Sequence, residues 1–70
     1  MEQAVLQSIR SIVDDKRARN VIPDCALSIE VALRLGVNVS DVEKSVSLLG
    51  DHIVTARGLN YDCYHLKQDK

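Results

Sequence analysis

Apolar side chains recur at Val5, Leu6, Ile9, Ile12 and Val13, with Glu2, Gln3, Gln7, Arg10 and Ser11 mostly on the other side. This is the period of a helix with one buried face, and it predicts helix 1 over about residues 2–16. Lys16 and Arg17 suit the negative pole of its dipole, and the helix is expected to end between Asp15 and Arg19. Residues 20–24 (NVIPD) break the pattern, because Pro23 pushes Ile22 out of helical geometry. Cys25, Ala26 and Leu27 fit either a short strand or the first turn of the next helix, and the pattern does not separate these. Ser28 is a natural N-cap for helix 2 at 29–35, whose inward face would carry Ile29, Ala32, Leu33 and Leu35. Gly36 supplies the left-handed residue that ends it.

Ser40-Asp41-Val42-Glu43 matches a capping box, with Ser40 capping and Glu43 reaching back. Val42, Val46 and Leu49 follow at helical spacing and Gly50 stands just beyond, which predicts helix 3 over 41–49. Its outward positions are then Ser40, Asp41, Lys44, Ser47 and Leu48. Ile53-Val54-Thr55-Ala56 is β-prone, Arg57-Gly58-Leu59-Asn60 has turn character, and 61–66 is β-prone again, so a hairpin is expected over about 52–66. A loop of three or four residues leaves the register open. Residues 68–70 are expected to fray.

Three helices followed by a hairpin make the chain one α+β domain over residues 1–70. This order resembles the winged helix-turn-helix superfamily. The resemblance rests on Val31-Ala32-Leu33-Arg34-Leu35-Gly36-Val37, on Ser40-Asp41-Val42 and on Leu48-Leu49, which are similar to the superfamily's Ala-x-x-Leu-Gly-Val turn, its Val anchor and its closing Leu. Tyr64-His65-Leu66 looks like the end of a wing strand. The resemblance implies a small DNA-binding regulator whose third helix enters the major groove and whose wing-tip Arg57 approaches the minor groove. The scaffold equally serves non-catalytic modules that dock a protein partner.

Composition shifts the balance between these two. Nine Lys and Arg against ten Asp and Glu give a net charge of −1. Most non-specific affinity for nucleic acid comes from counterion release, so a near-neutral chain needs a local basic patch. The candidates are Lys44 and Ser47 on helix 3, Arg57 on the wing, and the separate run Lys16, Arg17 and Arg19; double-stranded DNA is the partner they suit. Asp41 and Glu43 stand near the end of helix 3 that would approach phosphates, though acids there also favour the helix dipole. Tyr61 and Tyr64 are the only aromatics, a poor platform for stacking single-stranded bases. A small aliphatic core and an open last strand favour a homodimer through helix 1 or that strand.

Other constellations carry less. Cys63 and His65 share one face of a strand, and with Cys25 and His52 they complete the residue inventory of a zinc site. The spacing has no close Cys pair and no His pair, so neither zinc nor another cofactor is expected. A Cys63–His65 nucleophile would lack a cleft and oxyanion donors, and Asp14-Asp15 and Asp51-His52 sit where polar residues are ordinary, so no enzyme is expected. MEQAVLQSIR has no apolar h-region and no apolar run spans a bilayer. Two free thiols in a reducing cytosol are the simplest reading of the cysteines.

Overall fold

A computed structural model of the protein describes residues 1–56 and 63–67. The elements run α1 (Glu2–Ala18), β1 (Ala26–Leu27), α2 (Ser28–Leu35), α3 (Val39–Leu49), a short 3-10 turn (Gly50–His52), β2 (Ile53–Ala56) and β3 (Cys63–Leu66). Three helices and a small antiparallel sheet make this an α+β domain. Arg57 with its predicted turn, the proposed strand start at 61–62 and the tail at 68–70 lie outside the described residues.

Val5, Ile9, Ile12 and Val13 are buried as their spacing predicts, and they form the α1 side of a core shared with Ala26, Val31, Ala32, Val42 and Tyr64. Asn20 adopts a left-handed conformation (φ 57) after α1. The Val21 N–H then reaches back to the Lys16 carbonyl (2.8 Å) and the Asn20 N–H to the Arg17 carbonyl (3.2 Å). These two bonds close a Schellman motif in which Asn takes the usual glycine position. Gly36 (φ 68) ends α2 in the same way, with the Val37 N–H donating to the Ala32 carbonyl at 3.1 Å. Val37 packs half-buried against the core beneath this turn.

Both predicted N-caps are displaced. Ser28 is the first residue inside α2, because β1 runs straight into the helix and extended Leu27 occupies the cap position. Leucine has no side-chain acceptor, and the Glu30 carboxylate instead accepts from the Leu27 N–H at 2.9 Å. Ser40 is the second residue of α3, which starts at Val39 behind Asn38, and no side chain caps it. Starting there places Val39 on the core row with Val42, Val46 and Leu49. Apolar contact outweighs the capping signal at this end.

The predicted inner face of α2 also needs correction. Five of its eight residues are apolar, which gives two competing faces, and the protein buries Val31 and Ala32 with Leu35 half-buried. Ile29 and Leu33 face solvent, at 49% and 76% exposure.

The sheet order is β1-β3-β2, antiparallel throughout. Ile53 pairs with Leu66 and Ala56 with Cys63, which fixes the register that the sequence leaves open. Ala26 and Leu27 form a strand, pairing with Tyr64 and Cys63. The last strand is therefore the central one and not an open edge; β1 covers the side through which self-association was expected.

Candidate nucleic-acid interface

α3 crosses the domain surface after the Gly36 turn, with Val42 and Ser45 buried and Val46 and Leu49 packed half-buried against the core. The opposite side of the helix carries Ser40, Lys44 and Ser47, all exposed. At i, i+4 and i+7 these three make one stripe along the axis. Glu43 flanks it on one side, and Leu48, 73% exposed, on the other. None of the three side chains forms a hydrogen bond or ion pair with another described residue. Lys44 and Ser47 thus share the outer side of α3. Ser40, read from the sequence as a cap, joins them as a third donor; its spacing from Lys44 is the signal that identifies it.

The basic run at the end of α1 is engaged differently. Lys16 is drawn inward, its side chain only 12% exposed, and its Nζ lies 2.7 Å from Glu30 Oε1. The same ammonium donates to the Cys25 carbonyl at 2.8 Å. Lys16 therefore ties the end of α1 to the start of β1 and α2. Burial pushes the Glu30 carboxyl upward, but the hydrogen bonds from Lys16 and the Leu27 N–H outweigh it, and the group sits below its ordinary value. Arg17 pairs with Asp24 through Nε at 2.9 Å. That hydrogen bond holds the exposed Asp24 carboxyl low. Arg19 meets Asp15 one turn back at 2.8 Å. Arg34 donates to Ser11 Oγ at 2.7 Å, fastening α2 to α1.

The cysteines depart furthest from expectation. Cys25 and Cys63 form a disulfide, so neither is a free thiol, a zinc ligand or a nucleophile in this state. Cys63 is fully buried; His65 is half-buried and His52 exposed. The pairing also removes the thiol argument for a reducing cytosol, since disulfides persist mainly where the surroundings are oxidising. Among the described residues no helix is long and apolar enough to cross a membrane.

No protein-family model matches the chain, and no curated protein or solved structure is significantly similar to it.

Proposed function

We propose that this chain is a winged helix-turn-helix domain that binds duplex DNA without catalysis, laying the outer face of α3 in the major groove with the β2–β3 hairpin alongside. The observation that carries this reading is the Ser40–Lys44–Ser47 stripe: three donors, exposed, aligned and without partners among the described residues. Hydroxyl and ammonium groups in such a row suit phosphate oxygens and base-edge acceptors. The element order and the sheet order β1-β3-β2 support the scaffold, and Gly36 supports the tight turn between the two helices of the motif. Lys16 leaves the set of contacts, being committed to Glu30; Arg57, which lies outside the described residues, stays in it on the sequence reading alone. So few free cations imply modest affinity from one copy, and two copies reading adjacent half-sites would supply the rest.

A second reading is favoured by one specific observation. Ile29 and Leu33 stand exposed one turn apart on α2, and apolar neighbours of this kind suit a protein partner. Titration of random-sequence duplex at two salt concentrations separates the two. A DNA reader binds at low salt with a log–log slope of about one per phosphate contacted, whereas a protein-docking module shows no duplex affinity.

A further inference from the structure

The sulfurs of Cys25 and Cys63 join points 38 residues apart in sequence. Cys25 directly precedes β1, which continues without a break into α2; Cys63 opens β3, the strand that closes the hairpin. Among the described residues, the main-chain link between these two parts is the pairing of β1 with β3 at Ala26–Tyr64 and Leu27–Cys63. The disulfide is thus a covalent fastening beside a two-residue ladder, at the junction of the hairpin and the helical layer. Both residues are buried, at 2% and 0% exposure.

We propose that the Cys25–Cys63 pair is a redox-responsive clamp on the hairpin, opened by a dithiol reductant, and that opening it weakens the interface proposed above. The second clause rests on the duplex reading; the first does not. The chemistry is thiol–disulfide exchange. A thiolate of the dithiol attacks one cysteine sulfur, the Cys25–Cys63 bond breaks, and the other cysteine leaves as a thiolate. The second thiol of the reductant then displaces the attached cysteine. The protein gains two electrons and two protons, and the reductant ends as its own disulfide.

Two features make this a local event. Buried sulfurs are reached only when their surroundings open, and among the described residues β1 and β3 share two residue pairs against the four of β2 and β3. Once reduced, both thiols suit their buried places as small apolar side chains, so the core keeps its packing. Tyr64, buried beside Cys63, still anchors β3. The hairpin loosens while the helices hold.

The test uses the full chain, oxidised and then reduced with dithiothreitol, with alkylation and mass measurement confirming the state. Amide hydrogen exchange at Tyr64, His65 and Leu66 should quicken roughly tenfold or more on reduction, with α1 and α3 amides unchanged. Affinity for random duplex at low salt should fall several-fold in parallel. The Cys25→Ala/Cys63→Ala double variant should exchange like the reduced form and ignore the reductant. Equal β3 exchange in both states would overturn the clamp, as would loss of protection throughout the domain, which marks a global staple. Redox-dependent β3 exchange with no duplex binding in either state would keep the clamp and discard the DNA reading.

Discussion

Lys16, Arg17 and Arg19 crowd the end of α1, and each holds a carboxylate: Glu30 of α2, Asp24 of the following loop, Asp15 of the preceding turn. Lys44, midway along α3, holds none among the described residues. By count the first region is the better nucleic-acid footprint, and by availability it is the poorer one. The three pairs at α1 also differ among themselves. Arg17 and Arg19 are well exposed, and exposed pairs contribute between nothing and about 1 kcal/mol, so a phosphate could exchange with either acid. Lys16 is withdrawn from water and satisfies a carbonyl as well as a carboxylate, which makes it a fixture of the fold. What matters for binding is how cheaply a cation can leave its present partner.

The largest expected effect tests that ranking. Lys16→Met keeps most of the apolar stem but leaves the Cys25 carbonyl and part of the Glu30 carboxylate without their donor. It should destabilise the domain by about 2 kcal/mol, while Arg17→Ala and Arg19→Ala should each cost less than about 1 kcal/mol. Urea denaturation measures all three, and equal losses would erase the distinction between fixture and surface pair.

Acid probes the same contact. Glu30 has a folded value below its ordinary one, so its contribution is fully present above the ordinary carboxylate range and is lost as pH falls through the folded value. Stability should therefore decline as pH drops below the ordinary carboxylate range, and Lys16→Met should flatten that decline. Asp24 is also held low but is exposed to solvent, and Arg17→Ala should leave the acid limb as it is. An acid limb identical in wild type and Lys16→Met would assign the pH response to another group.

On the α3 side, Lys44→Ala should leave melting unchanged and reduce the salt slope of duplex binding by nearly one unit. Arg57→Ala should do the same if the wing tip touches phosphate. An unchanged slope in Lys44→Ala, with the same slope lost in Arg17→Ala or Arg19→Ala, would move the interface to α1 and invert the comparison.

These regions also mark how far the sequence could be read. α1 and α3 are legible because each has one apolar row and one polar face, which leaves a single way to bury it. α2 is apolar at five of eight positions, so Ile29 and Leu33 compete with Val31 and Leu35 on equal terms, and only packing against α1 and α3 decides. The Arg19–Asp15 pair could be read from its i, i+4 spacing. The Lys16–Glu30 and Cys25–Cys63 pairings depend on packing α2 against α1 and pairing β1 with β3, long-range events that local pattern does not encode. Along α3, the outward positions of Ser40, Lys44 and Ser47 follow from the inward row of valines, but the loss of the capping role at Ser40 does not. The pattern points to Ser40 as the cap, whereas the helix starts behind Asn38, two residues earlier, and the difference turns on whether Val39 is worth burying.

Ser40 therefore gives the smallest and most discriminating prediction. A serine that caps α3 would cost about 1 kcal/mol when replaced by alanine. Here Ser40 lies inside the first turn, exposed, with its hydroxyl bonded to no described residue. Alanine is the better helix former at such a position, so Ser40→Ala should change stability by less than about 0.5 kcal/mol, in either direction. If the stripe is the interface, the same substitution should weaken duplex binding about two- to tenfold, the range of one lost neutral hydrogen bond, with the salt slope unchanged because no charge is removed. Ser47→Ala should behave alike. A loss of about 1 kcal/mol in melting experiments would restore Ser40 as the cap and remove it from the stripe, leaving Lys44 and Ser47 alone on the reading face.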